Sequence, residues 1–389
     1  MNIQQIDQTY VASTYGRMPV ALVKGKGALA WDENGKEYID LGAGIAVNTF
    51  GYSDDIWIQA VTEQLGKISH TSNLYYTSPD ALLAKMLCEK TGMKKVFFGN
   101  SGAEANECAI KTARKWAYDQ FGDESHSTII TLKNSFHGRT IATLAATGQD
   151  KFHTHFGPFP GGFVYATAED PEELEKLASE NGCCAIMIEL VQGEGGVVPL
   201  SQAYVDAVVA TAKKHDLLII DDEVQTGNGR TGTLYTYMQY GFQPDIVSTA
   251  KGLGGGLPIG ACLLGEKVQN TLTPGSHGST FGGNPTSCAG ALSILARIDD
   301  DLLAGVQEKS SYIFDTLSGA KGVQSVTGLG LMIGISCDKP VGEVLSACLE
   351  KGVIVLSAHD KVRLLPPLSI PMEQLKKAIE VLKEVISNA

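Results

Sequence analysis

No apolar run in this chain is long enough to cross a bilayer. No long basic run offsets its formal net charge of −12, which argues against a nucleic-acid surface or an anionic membrane as partner. Small anionic substrates stay open, because they respond to a local pocket rather than to the total. The eight cysteines (Cys88, Cys108, Cys183, Cys184, Cys262, Cys288, Cys337 and Cys348) form no CxxC pair and show no metal-ligand spacing with histidine. No metal site is expected. Most of them lie among Ala, Leu and Ile, the setting of reduced, buried thiols. The N-terminal stretch MNIQQIDQTYVASTYGRM is polar and lacks the apolar core of a signal peptide. These absences point to a cytoplasmic protein. There is also no internal repeat, no low-complexity segment and no long linker.

What is present suits a globular chain of two or three domains: 389 residues, 43% hydrophobic and 19% charged. Glycine is abundant at 44 residues, and much of it is clustered, which suggests backbone lying close to a ligand. ALAW and EYIDL flank Asp32-Glu33-Asn34-Gly35, a hairpin signal over residues 28–41. Strand-like runs follow at KVFF, STIITL, GFVYA, AIMIEL, LLIID, DIVSTA and ACLLG, with helical segments between several of them. One helix starts at Asp170-Pro171 and stops by Gly182; another is SQAYVDAVVATAKKHD. This alternation predicts an α/β fold with a mostly parallel seven-stranded sheet covered by helices. From about residue 290 the pattern changes to helices around short strands at GVIVLSA and KVRLLPP. It ends in an amphipathic helix with Leu375, Ala378, Ile379, Leu382 and Ile386 on one face. The expected division is an N-terminal segment 1–55 that joins a small α+β domain, a large domain 56–285, and the small domain 286–389.

Polar motifs stand at the carboxyl ends of these strands, the edge where open α/β sheets bind ligands. Lys251 ends an apolar strand in PDIVSTAKGLGGGLPIG. A lone ammonium is costly to desolvate. Alone it reads as a solvated lysine just past the strand; partly desolvated, it becomes a nucleophile that forms a Schiff base with a carbonyl. After KVFF come Gly99-Asn100-Ser101-Gly102-Ala103-Glu104 and a helix. Ser101 and Glu104 fit a capping box, and the small Gly102 and Ala103 leave the first-turn N–H groups open to an anion such as phosphate. A plain capped helix explains the same residues. After STIITL, Phe136 offers an aromatic face and His137 and Arg139 a polar and a cationic group, although an arginine in a loop is usually a solvated charge. Asp222 ends LLIID and reads as a helix cap, a metal ligand or the partner of a cation. A pyridinium N–H would be such a cation. Taken in chain order, these residues describe a site for pyridoxal 5'-phosphate.

At this point the chain resembles the class III, fold-type I aminotransferases, and within them the acetylornithine branch. The resemblance runs from KGKGALAWDENGKEYIDLGAGIAV through SNLYYT, FFGNSGAEANECAIKTAR, SFHGRT, VQGEGG, IIDDEVQTGNGRTG and STAKGLGGGLPIGA to HGSTFGGNP and VRLLPPL. It implies a fold-type I transferase with Lys251 as the Schiff-base lysine and Asp222 on the pyridine nitrogen. Gln225 would lie near the ring hydroxyl, Val224 and Phe136 on opposite ring faces, and Ser101, Gly102, Ala103 and His137 around the cofactor. Thr280 would reach the phosphate of a neighbouring subunit, so a homodimer with shared sites is implied. Arg139, Ser279, Arg363 and Glu194 would bind substrate. In that set Arg139 takes the distal carboxylate, Arg363 the α-carboxylate of glutamate or 2-oxoglutarate, and Glu194 neutralises Arg363 between times. The implied reaction moves the ω-amino group of N2-acetylornithine to 2-oxoglutarate, a step of arginine biosynthesis. Ornithine, succinylornithine, succinyl-diaminopimelate and 4-aminobutyrate are alternative donors. Two stretches depart from the family: Leu190 replaces a common Pro after Glu189, and Phe50-Gly51-Tyr52-Ser53-Asp54 replaces an LGHxHP-like stretch. A nucleotide-dependent kinase or dehydrogenase is disfavoured, because GxxxxGK[ST] is missing and GLGGGLPIG does not match GxGxxG. A cofactor-binding scaffold without turnover would be expected to lose Lys251, Arg139 or Arg363, and all three are present.

Overall fold

Strands rich in Ile, Val and Leu on both faces need cover on both sides of their sheet. The computed structural model describes residues 2–180 and 182–387; Met1, Asn181 (within the segment expected as helix before Gly182), Asn388 and Ala389 lie outside the described residues. The seven apolar runs form β1 (Lys95–Gly99), β2 (Thr128–Leu132), β3 (Phe163–Ala166), β4 (Cys183–Ile188), β5 (Leu218–Asp222), β6 (Ile246–Thr249) and β7 (Gly260–Leu264). They make one sheet in the order β1-β7-β6-β5-β4-β2-β3. Every pairing is parallel except those of β7, which runs antiparallel to β1 and β6. The mostly parallel seven-stranded α/β sheet read from the sequence is therefore borne out. Six strands end at one edge, and their loops meet there.

The helix Gly102–Phe121 starts after β1 because Ser101 caps it, and it stops at Gly122, which takes a φ of 79°. Its buried face is built of Ala105, Cys108, Ala109 and Ala113. These short side chains let it lie close against β7 and β6. Gly260 is needed at this contact: a Cβ there would sit 2.1 Å from the Ser101 carbonyl oxygen. The helix N-terminus is thus pressed onto the sheet edge. Burial of β4 and β5 along their whole length, at about 1.5–3 kcal/mol per large aliphatic side chain, fixes that edge as a rigid platform.

A second, antiparallel sheet has the order Val323–Leu329, Met332–Cys337, Lys361–Leu364, Leu356–Ala358. Helices Asp300–Leu317, Val341–Glu350 and Met372–Ser387 accompany it, and the last buries Leu375, Ala378, Ile379, Leu382 and Ile386. The N-terminal hairpin Leu29–Asp32 and Glu37–Asp40 belongs to a third sheet, which also takes Val353–Ile354 in parallel with Glu37–Asp40. One core joins Ala28, Ile39 and Leu41 to Ile313, Leu364 and Leu382. Among the described residues no helix is long and apolar enough to cross a membrane, and all eight cysteines are unpaired.

Arg230 ties the two halves together. It lies in the loop after β5 and is 2% exposed, without a carboxylate within ion-pair distance among the described residues. Its Nη1 donates to the carbonyls of Leu331 (3.1 Å) and Pro366 (2.5 Å), and the Leu331 N–H donates back to the Arg230 carbonyl at 2.9 Å. Charge-assisted bonds of this kind contribute roughly 1.5–3 kcal/mol each. Arg230→Ala should therefore lower the free energy of unfolding in urea by about 3–6 kcal/mol. A loss below about 1 kcal/mol, the size of a surface substitution, would show that these bonds do not join the halves.

Candidate active site

The loops at the carboxyl edge enclose a cavity of about 450 Å³. Its lining includes Ser101, Gly102 and Ala103 after β1, Phe136, His137 and Arg139 after β2, and Glu189 and Glu194 after β4. Asp222, Val224 and Gln225 from the end of β5, and Lys251 after β6, complete that part of the wall. Arg363 adjoins the cavity through its ion pair with Glu194. Ser279 and Thr280 are not brought into it. The Ser279 hydroxyl accepts from Asn100 Nδ2 at 3.0 Å and from the Gly282 N–H at 3.1 Å, and Thr280 is exposed.

At the helix end, Ser101 Oγ accepts the Glu104 N–H at 3.2 Å. The Glu104 carboxylate accepts from the Asn100 N–H (2.8 Å) and Asn100 Nδ2 (2.9 Å) rather than from the Ser101 N–H. The expected capping box is therefore only half formed, because the Asn100 side chain draws the carboxylate back by one residue. Within the described chain, the N–H groups of Ser101, Gly102 and Ala103 have no acceptor. Three unpaired donors at a helix N-terminus make a cradle for an anion.

Asp222 is 3% exposed. Its Oδ2 accepts from Asn106 Nδ2 (2.7 Å) and His137 Nδ1 (2.8 Å), and its Oδ1 accepts from the Val224 N–H (3.1 Å). Burial works against a charge on His137, but the Asp222 hydrogen bond and charge outweigh it and raise its pKa. Asn106 and Glu189 were missed by the sequence reading. Asn106 lies one helical turn beyond Gly102 on the buried face, and nothing in its spacing marks which group it meets. Glu189 accepts the Phe136 N–H at 2.8 Å and the Gly193 N–H at 3.4 Å. Burial pushes its carboxyl up to about 7.

The two arginines differ. Arg363 is 3% exposed, and its Nη1 donates to Glu194 Oε1 at 2.6 Å and to Gln225 Oε1 at 3.2 Å. Gln225 is thus engaged with the ion pair as well as lining the cavity. Burial pushes the Glu194 carboxyl up, but the Arg363 charge and hydrogen bond, helped by Lys251, hold it below its usual value. Arg139 is exposed, stacks 4.2 Å from the Phe152 ring centroid and 5.5 Å from that of Phe136, and has no carboxylate within ion-pair distance among the described residues. One cation is already neutralised and the other is free.

Backbone strain gathers at the same place. Lys251 has a φ of 43°, and Ala43, Ile45 and Ala46 have φ values of 47°, 62° and 62°. Left-handed geometry costs a non-glycine residue roughly 1–2 kcal/mol. The Lys251 turn is held by Asn228 Nδ2, which donates to Thr249 Oγ1 (3.0 Å) and the Ala250 carbonyl (3.3 Å).

Comparison with known proteins agrees with this chemistry. The family model of class-III aminotransferases matches residues 10–386. The chain is 51% identical over 388 residues to the acetylornithine aminotransferase of Haemophilus ducreyi, covering 99% of this chain and 98% of that one. It is 44% identical over 389 residues to that of Caldanaerobacter subterraneus subsp. tengcongensis, with 98% of each covered. Among solved structures, an ornithine aminotransferase from Toxoplasma gondii superposes with a TM-score of 0.94 at 30% identity, over 99% of this chain and 93% of that one. That protein carries PLP at partial occupancy in its active site. The N-acetylornithine aminotransferase of Stenotrophomonas maltophilia K279a gives a TM-score of 0.86 at 36% identity, with 98% of each chain covered. A match over nearly the whole length, on a fold-type I scaffold with lysine, aspartate and anion cradle at one sheet edge, places the chain in the class-III aminotransferase family.

Proposed function

We propose that this chain is an acetylornithine aminotransferase. With pyridoxal 5'-phosphate it moves the ω-amino group of N2-acetylornithine to 2-oxoglutarate, giving N-acetylglutamate 5-semialdehyde and glutamate. The observation that carries the reading is one cavity lined by a half-buried lysine, a buried aspartate and an unpaired arginine, with a second arginine beside it already paired with the lining carboxylate of Glu194. The donor set fits the cofactor. The open N–H groups of Ser101, Gly102 and Ala103 suit its phosphate, Asp222 its ring nitrogen, and Phe136 and Val224 its two faces. When bound, pyridoxal phosphate supplies a carbonyl that condenses with amines and a ring that takes up the electron pair released at the substrate carbon.

The protein's own part is binding, orientation and proton handling. Lys251 Nζ takes the proton from the reacting carbon and returns it, as general base and then acid. Asn106 and His137 hold the Asp222 carboxylate in place, where it would face the ring nitrogen. Arg139 clamps the far carboxylate of either substrate. Arg363 takes the α-carboxylate of glutamate or 2-oxoglutarate, and Glu194 covers it when the ω-amine is bound, since a buried unpaired charge is costly. A homodimer and a cytoplasmic location belong to the same proposal. The dimer is supported by exposed Leu74, Tyr75, Tyr76 and Phe281, an apolar patch of the kind that marks an interface. Asn73 Nδ2 pins its two segments together through the carbonyls of Ser279 and Gly282, which puts Thr280 within the patch. We divide the chain at 1–55, 56–285 and 286–389 on the same footing.

A donor panel of acetylornithine, ornithine, succinylornithine and 4-aminobutyrate tests the substrate. Acetylornithine should give the highest kcat/KM with 2-oxoglutarate, and a clear preference for another donor would overturn the assignment. Single-turnover absorbance separates the two half-reactions. Glu194→Ala should slow the acetylornithine half and spare the glutamate half. Arg363→Ala should weaken mainly the glutamate half, by on the order of 2–5 kcal/mol, and Arg139→Ala should harm both. Equal losses in both halves for Glu194→Ala would make Glu194 merely structural.

Lys251 offers a test without substrate. Burial pulls its pKa below 10.5 and Arg363 adds to this, against Glu194, Asp222 and Glu189. A lysine depressed in the folded state carries its burial penalty at every pH below its folded pKa, and the penalty fades as pH rises from there to 10.5. Cofactor-free Lys251→Met should therefore resist urea better than the wild type at pH 7, and the gain should shrink toward pH 10. A variant less stable at pH 7 would contradict this picture of the lysine.

A further inference from the structure

Val47, in the cavity wall, follows directly on a left-handed turn. Ala43, Gly44, Ile45 and Ala46 take φ values of 47°, 63°, 62° and 62° in succession. For β-branched Ile45 this region is a true outlier. Such a run persists only where the surroundings over-determine it. Two anchors do so. Upstream, the Asp40 carboxylate accepts the N–H groups of Gly42 (2.7 Å) and Ala43 (3.1 Å), and the Tyr52 hydroxyl interacts with it electrostatically. Asp40 is 2% exposed and has no basic partner within ion-pair distance among the described residues. Tyr52 lies directly over Gly25, where a Cβ would stand 2.5 Å from its ring. Downstream, the buried Thr49 hydroxyl donates to the carbonyl of Gly252, the residue after Lys251, at 2.8 Å. The stretch between the anchors delivers Val47 to the cavity wall.

We propose that Asp40 and Tyr52 are positioning residues for Lys251, acting through the left-handed turn Ala43–Ala46 and the Thr49–Gly252 hydrogen bond. The chain of contacts is continuous: Tyr52 steadies Asp40, Asp40 holds the start of the turn, and the turn seats Thr49 under the strained backbone that aims the lysine. The inference rests on the assignment of Lys251 as the reacting amine.

The test is a double-mutant cycle on the holoenzyme, read by kcat in each half-reaction and by amide hydrogen exchange. Tyr52→Phe removes only a hydroxyl, and Thr49→Val removes only the bond to Gly252. Each should lower kcat roughly tenfold in both half-reactions, the scale of a small misplacement of a reacting group, with donor KM changed less than about threefold. Thr49→Ser should restore the wild-type rate. The double variant should be no slower than the slower single one, because both act on a single path. In Tyr52→Phe the amides of residues 42–47 should exchange faster while those of β5 stay protected. The proposal is overturned by additive losses, by an unchanged kcat, by failure of Thr49→Ser to rescue, or by wild-type protection over 42–47. The exchange result does not depend on the substrate. If the wild type turned over none of the donors, the assignment of function would fail while the anchoring of the turn was still decided.

Discussion

The proposed reaction needs an amine inside this protein, desolvated enough to react, without being locked into an ion pair, and the surroundings of Lys251 answer to that requirement. Lys251 is surrounded by charges of both signs. Glu194, Asp222 and Glu189 favour its ammonium, while burial and Arg363 oppose it. None of those carboxylates is free to capture it. Asp222 is committed to Asn106 and His137, Glu189 to two backbone N–H groups, and Glu194 to Arg363. A single strong pair would hold the lysine charged and remove its nucleophilicity. Spending each acid on another partner leaves the amine available.

The platform makes this commitment possible. Six strands end at one edge, so side chains far apart in sequence meet there without long loops. The strand period then sorts neighbouring acids. Asp221, Asp222 and Glu223 are consecutive, yet only Asp222 lines the cavity. The Asp221 and Glu223 carboxyls are buried on the other side, where the Tyr237 N–H donates to Glu223 Oε1 at 3.0 Å. Alternation by two is enough to give three adjacent carboxyls different fates.

The seven strands, the last helix and the hairpin near Gly35 were legible in the sequence because each rests on a local signal: period, cap or turn residue. So was the gathering of Lys251, Asp222, Phe136, His137, Arg139 and Gly102, since strand ends of a parallel sheet share an edge. Asn106 was not legible, because an asparagine inside a helix carries no mark of which carboxylate it will meet. The recruitment of Glu104 by Asn100 was hidden for a similar reason: two capping geometries use the same residues and differ by one hydrogen bond. The left-handed turn at Ala43–Ala46 was also invisible. Alanine and isoleucine give no hint of positive φ, and only the carboxylate of Asp40 and the hydroxyl of Thr49, on either side of the turn, hold that conformation.

The positions of the two arginines explain how one cavity could serve two substrates. Arg139 follows β2 at the sheet edge and packs on the rings of Phe152 and Phe136. Arg363 belongs to the second sheet, paired with Gly334 on one side and Leu356 on the other, and its side chain is almost wholly buried. Glu194 lies in the tight loop between Val191–Gln192 and Val198–Pro199. The base of that loop is clamped, with Val191 and Val197 in one apolar cluster with Ala46, Met332 and Leu365, and the Val197 carbonyl accepting from Thr327 Oγ1 at 2.8 Å. The backbone on both sides of the pair is therefore held, and what differs is exposure: the Glu194 side chain is 31% accessible against 4% for Arg363. The group able to move is the carboxylate, by rotation of its own side chain. A substrate carboxylate entering the cavity would meet an arginine already in place and would need only to displace Glu194 toward solvent.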